Sequence, residues 1–126
     1  MAARGWLVGG VRRRLWPASW AAFSTSTAGG PAYYVLQYDF VPNIIERRKP
    51  YRAVHLSLAE ESAKKGKLLL GGARGDPPGT SLWIFKNSSK EEVEAYARND
   101  PYVQNGLVTS WNVQPWDVVR GCLMDA

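Results

Sequence analysis

The sequence predicts a single α+β domain in which a strand, a helix, two strands, a second helix and a last strand follow one another. Three observations predict it. Segments rich in aromatic and β-branched residues alternate with segments of helical spacing. Gly, Pro and Asn stand at the joints between them. The 126 residues, 45% hydrophobic and 21% charged, are a globular balance with room for one ordinary core.

The body begins after Gly29-Gly30-Pro31. Residues 33–40 (YYVLQYDF) read as the first strand, with Tyr33 and Val35 on one face and Tyr34, Leu36, Tyr38 and Phe40 on the other. Pro42 and Asn43 end it, and residues 44–49 are expected as a loop that closes on the basic run Arg47-Arg48-Lys49. Pro50 suits the first position of a helix, where its missing N–H is not needed. On that helix Leu56, Ala59 and Ala63 share a face, Glu60, Glu61, Lys64 and Lys65 lie on the wet side, and Gly66 stops it. Residues 67–72 form the second strand, residues 75–79 (GDPPG) reverse the chain, and residues 81–86 (SLWIFK) form the third strand. Asn87, Ser88 or Ser89 caps a second helix that carries Glu91 and Glu92 near its positive end and runs to about Arg98. Asn99-Asp100-Pro101 breaks the helical pattern, and residues 108–114 make the fourth strand, with Pro115 at its end or on a sheet edge.

This order is the ferredoxin-like βαββαβ arrangement. Two helices cover only one face of such a sheet. Both faces carry apolar residues, with Trp83 and Phe85 of the third strand set against Leu82 and Ile84, so the bare face needs a cover, and a second copy packed sheet to sheet is the economical one. A symmetric homodimer is therefore expected.

Charge must be divided before it is interpreted. The net charge of +5 suggests a nucleic-acid footprint, but residues 1–30 hold Arg4, Arg12, Arg13 and Arg14 and no acidic residue. Beyond them the remaining 12 of 16 basic residues face all 11 acidic ones, so the body is nearly neutral and nucleic acid is not expected as a partner. Residues 1–30, rich in Arg, Ala, Ser and Thr, have the composition of a mitochondrial transit peptide, with Leu7, Val11 and Leu15 on one helical face. A secretory signal or a plain tail are the alternatives; Pro17 inside the apolar run argues against the signal. The expected organisation is thus a leader over 1–30, a domain over 31–119 and a short tail over 120–126. No run approaches the roughly 20 apolar residues that span a bilayer, so membrane insertion is not expected. One His and one Cys exclude a disulfide framework and a Cys/His metal cluster. Cys122 lacks a flanking base and reads as inert.

Three pieces carry chemistry: Arg52-x-x-His55-Leu56, Gly66-Lys-Leu-Leu-Leu-Gly-Gly72 and Asp100-Pro-Tyr-Val103. Their order and spacing over about residues 33–119 resemble the YCII-related (YciI-like) family. The resemblance implies a dimeric α+β barrel of ferredoxin-like subunits, a cofactor-free pocket, and His55 with Asp100 as a catalytic pair. Relatives include a dehydrochlorinase acting on a chlorinated hydroxyquinol. The sequence departs from the family pattern at Ala73, where a proline commonly follows the glycine, and in its leader.

A carboxylate that accepts a hydrogen bond from one imidazole nitrogen fixes the tautomer and leaves the other nitrogen to exchange a proton with substrate. Arg52, one helical turn before His55, is placed to hold an anionic group, and Gly71 and Gly72 would let a ligand approach the backbone. The expected function is proton transfer on an acidic small molecule, of lyase or isomerase type. Each residue also has a plain structural reading. His55 is a packed histidine, Asp100 a helix cap before Pro101, Arg52 part of a solvated basic face, Gly71-Gly72 a β-bulge, and Trp83, Trp111 and Trp116 core and dimer packing. The alternatives to an enzyme of this kind are a non-catalytic binding module of the same fold and, by fold analogy, a cofactor-independent monooxygenase.

Overall fold

The computed structural model describes residues 32–123. Residues 1–30, read above as a leader, lie outside the described residues, as does the end of the tail. The described chain runs β1 (Tyr33–Phe40), α1 (Ile44–Arg47), a 3₁₀ turn (Lys49–Tyr51), α2 (Arg52–Lys64), β2 (Leu68–Arg74), β3 (Thr80–Lys86), α3 (Lys90–Arg98), α4 (Pro101–Gln104) and β4 (Val108–Trp116). The four strands form one antiparallel sheet in the order β2-β3-β1-β4. This is the expected ferredoxin-like α+β subunit, and no helix among the described residues is long and apolar enough to cross a membrane.

Strand alternation decides which residues meet the helices. Leu36 and Tyr38 of β1, Trp83 and Phe85 of β3 and Val113 of β4 point to the helical side and pack with Ala59 of α2 and Val93 and Ala97 of α3. Each large apolar side chain so buried contributes about 1.5–3 kcal/mol. Leu36 and Tyr38 lie on the central strand β1, paired on both sides, and are fully buried. On the opposite face the register lines up Leu70, Ile84 and Val35 across three strands.

The sequence reading is corrected in four places. Residues 44–49 are not an open loop. Asn43 takes a left-handed turn (φ 62°), Ile44 is buried with Tyr102 and Leu107, and the segment winds into α1 and the 3₁₀ turn that holds Pro50, so α2 begins at Arg52. The buried stripe of α2 is rotated from the expected one: Leu56 is 43% exposed and Ala63 is exposed, and His55 takes the inward position four residues before Ala59. A count of apolar residues ranks Leu above His; a buried partner for the imidazole reverses the ranking. β4 runs past residue 114 to Trp116, and Pro115 takes the sheet-edge place foreseen for it, since β4 is an outer strand. Finally, the register shift of β2 falls between Leu68 and Leu70, so Gly71-Gly72 is not the bulge.

Ser89 is the cap chosen among the three candidates before α3. Its Oγ accepts from the Glu92 N–H (3.1 Å) and its own N–H donates to Glu92 Oε1 (2.8 Å), a complete capping box. That backbone bond, with Lys67 beside it, holds the Glu92 carboxyl below its usual range.

Gly71 has a packing reason instead. It pairs with Trp83 across the β2–β3 ladder, and a Cβ there would stand 2.6 Å from Trp83 Cδ2, against the face of the indole; at Gly72 nothing lies within 4 Å. Gly71→Ala is therefore expected to lower unfolding stability by about 1–3 kcal/mol through overpacking, and Gly72→Ala to change it by no more than about 0.5 kcal/mol. Denaturant melts of the two variants check this; equal effects would contradict the indole seat.

Candidate functional site

Asn99 closes α3, and Asp100 starts α4. Its extended backbone and Pro101 at the first helical position make it the cap of α4, with Oδ1 accepting from the Tyr102 N–H at 2.9 Å. The capping role foreseen for this residue is present, and the same carboxylate does more. Tyr38 reaches across 62 residues of sequence and donates its Oη–H to Oδ2 at 2.8 Å. His55 Nδ1 lies 2.9 Å from Oδ2 and 3.0 Å from Oδ1. Asp100 and His55 are both almost wholly buried, 1% and 3% exposed.

The donors decide the tautomer. A backbone N–H can only donate. Burial first, then the Asp100 charge, pushes the Tyr38 phenol far above its ordinary range, so it too stays a donor. With both oxygens already accepting, the carboxylate is an acceptor centre, and Nδ1 carries the ring hydrogen that it receives. Nε2 is then the bare acceptor. It makes no hydrogen bond among the described residues, where the one fully buried polar side-chain atom without a partner is Tyr96 Oη; Nε2 therefore keeps access to open space.

The ring is also held on its faces. It stacks on Tyr102 (centroids 3.7 Å apart, planes within 5°) and meets Trp83 edge to face at 5.2 Å. Trp83 is fixed in turn by Nε1–H donation to Ser81 Oγ at 2.9 Å and by its seat on Gly71.

These side chains wall a cavity of about 340 Å³ that runs along one face of α2 from Arg52 to Ala63, bounded by β2, β3 and the end of β1. His55, Arg52, Gly71 and Gly72 all line it, and Asp100 stands behind His55. The sequence-predicted site residues thus come together around one space. Arg52 is exposed at the rim, with Nη1 3.5 Å from Tyr102 Oη, a long contact that leaves its guanidinium free for another partner. Arg48, half-buried at the end of α1, adds a second guanidinium. Glu60 is the acidic member of the wall. The described residues bring no group of three or more His, Cys, Asp or Glu side chains together as metal ligands.

Sequence reasoning missed Tyr38, Ser81, Trp83, Tyr102 and Arg48. For Tyr38 a signal existed, since alternation put it on the helical face with Leu36. For Trp83 the expected role was packing. It does pack, but its ring is also a cavity wall.

Comparison with known proteins follows the same lines. Among curated proteins none matches the chain. The solved structures that match include the 5-chloro-2-hydroxyhydroquinone dehydrochlorinase of Burkholderia phenoliruptrix AC1100 in complex with 2,5-dihydroxybenzoquinone. It is 25% identical, covers 68% of this chain and 93% of its own, and has a TM-score of 0.57. An antibiotic biosynthesis monooxygenase (15% identity, 71% and 99% coverage, TM-score 0.47) and a protein of Mycobacterium tuberculosis (13% identity, 74% and 99%, TM-score 0.45) are more distant. The YCII-related domain matches residues 32–117, most of the chain and all four strands of the sheet, and the chain belongs to that family.

Proposed function

We propose that this chain is a small mitochondrial enzyme that moves a proton on an acidic small molecule without a cofactor, in a lyase- or isomerase-type step. His55 is the general base or acid at Nε2, Asp100 orients it through Nδ1, and Arg52 with Arg48 holds the anionic group. The observation that carries the reading is the buried Nδ1–carboxylate bond of a histidine that lines one cavity together with two arginines. Positioned proton transfer of this kind contributes about 10²- to 10⁴-fold.

The cavity supports a flat ligand. Its volume of about 340 Å³ is at the small end of ligand sites, and Trp83, Tyr102 and Phe40 give it aromatic walls. The similar dehydrochlorinase is named for a chlorinated hydroxyquinol and holds a dihydroxybenzoquinone, a flat acidic ring. The rival reading, a non-catalytic ligand- or protein-binding module, draws on Val54 and Leu56, both exposed on α2.

Two measurements with the full chain separate them. Titration with 2,5-dihydroxybenzoquinone is expected to show binding that Arg52→Gln weakens by about tenfold, the weight of one hydrogen bond to a charged group. A panel of acidic carbonyl compounds in deuterated water is expected to show enzyme-dependent exchange, reduced about 10²-fold or more in His55→Gln. Binding without any exchange would favour the module; neither binding nor exchange would remove the enzyme reading.

The proposal includes a homodimer. Leu70, 58% exposed, continues an apolar row with Ile84 and Val35 on the face that α2 and α3 leave open, and Trp116, 47% exposed, lies on the same face beside Tyr33. Light scattering at micromolar concentration is expected to give a particle of two chains; a single-chain particle would contradict it.

A further inference from the structure

Ser81 is a buried hydroxyl with an unused hydrogen. It is 1% exposed, lies on the helical face of β3 directly across from Tyr38, and lines the same cavity as His55. Its Oγ accepts the Trp83 Nε1–H at 2.9 Å. An indole N–H can only donate, so this bond uses a Ser81 lone pair and leaves the O–H to find an acceptor. Among the described residues it finds none: the bond from Trp83 is the one side-chain hydrogen bond that Ser81 makes.

Buried donors ordinarily have partners, and an unsatisfied one costs about 1–3 kcal/mol. Ser81 lines the cavity, so an acceptor that enters the cavity can take this hydrogen. Accepting from the indole also makes the hydroxyl a better donor, because hydrogen bonds in a chain polarise one another. The same wall therefore presents a base, His55 Nε2, and a primed donor.

We propose that Ser81 is a catalytic hydrogen-bond donor to the substrate oxygen on which negative charge develops when His55 removes a proton, with Trp83 as the positioning residue that primes it. This rests on the reading of His55 as the base. The proton on the carbon next to a carbonyl goes to Nε2. The C–H electron pair becomes a C=C bond, and the carbonyl π pair moves to oxygen, which takes the Ser81 O–H hydrogen bond. Collapse of that enolate either returns the proton from Nε2 to another carbon, an isomerisation, or expels a leaving group with its electron pair, an elimination. The substrate class is an acidic carbonyl or quinone-like molecule whose oxyanion is complementary to this donor.

The test uses the full chain and 2,5-dihydroxybenzoquinone as probe, reading affinity and the visible absorption of the bound molecule in wild type, Ser81→Ala, Trp83→Phe and the double variant, each checked for folding by circular dichroism. Ser81→Ala is expected to weaken binding about tenfold and shift the absorption band of the bound quinone, since a hydrogen bond to a charged oxygen is lost. Trp83→Phe keeps a six-membered aromatic ring in the wall and removes the pyrrole part of the indole with its priming N–H. It is expected to weaken binding about two- to threefold when Ser81 is present and by nothing further in the Ser81→Ala background. Unchanged affinity and spectrum in Ser81→Ala, with the wild type binding, would overturn the donor and leave the His55 reading standing. Equal losses from Trp83→Phe in both backgrounds would overturn the priming. No binding by the wild type would overturn the shared ligand class and this proposal with it.

Discussion

The Asp100 carboxylate is the constraint on which the rest of the site depends. One group caps α4 through the Tyr102 N–H, ties the central strand β1 to the helical layer through Tyr38, and fixes the imidazole of α2. A carboxylate that is almost completely buried is costly unless its oxygens are fed by donors, and here three donors from three different elements converge on it. Each oxygen is reached by two of these donors, so loss of one weakens the support of the buried charge and loosens the tie between β1, α2 and α4 without leaving an oxygen bare. The same arrangement holds the imidazole of a cavity-lining residue with Nδ1 occupied and Nε2 without a protein partner among the described residues.

The cavity owes its place to the way elements end. β1 and β2 end beside the start of β3, where Asp39 and Arg74 both pair with Thr80, and the α1 and 3₁₀ segment makes the crossing from β1 to α2. Arg48 and Arg52 come from that crossing, the aromatic wall from β3 and α4, and the glycines from β2. Gly71 matters here because its missing side chain lets Trp83 lie against β2, in edge-to-face contact with His55. A larger residue would push the indole into the space a ligand needs.

Much of the fold was legible in the sequence because it rests on local rules. Strand alternation in residues 33–40, the turn at 75–79 and the caps at Ser89 and Asp100 depend on near neighbours, and the structure follows them closely. What was not legible depends on contacts distant in sequence. The inward turn of His55 instead of Leu56 needs Asp100, 45 residues away, and the role of Tyr38 needs the same residue from 62 residues away. α1 is too short for helical periodicity to show, and its formation rests on the turn at Asn43 and the burial of Ile44 against Tyr102 and Leu107. The seat of Trp83 on Gly71 is a property of β2–β3 register, which composition does not encode. The chemistry-bearing residues His55, Asp100 and Arg52 were found by type and spacing; the aromatic and hydroxyl groups that shape their surroundings were not.

The central claim is that Asp100 holds His55 as the Nδ1–H tautomer with Nε2 free. Because His55 is the one histidine of the chain, nitrogen-15 NMR of its ring in a tag-free full-length protein reads this without ambiguity. The account predicts that neutral His55 carries its hydrogen on Nδ1, that Nε2 has the shift of an unprotonated acceptor, and that Asp100→Asn abolishes the preference. A neutral ring protonated at Nε2, or a tautomer unaffected by Asp100→Asn, would contradict it.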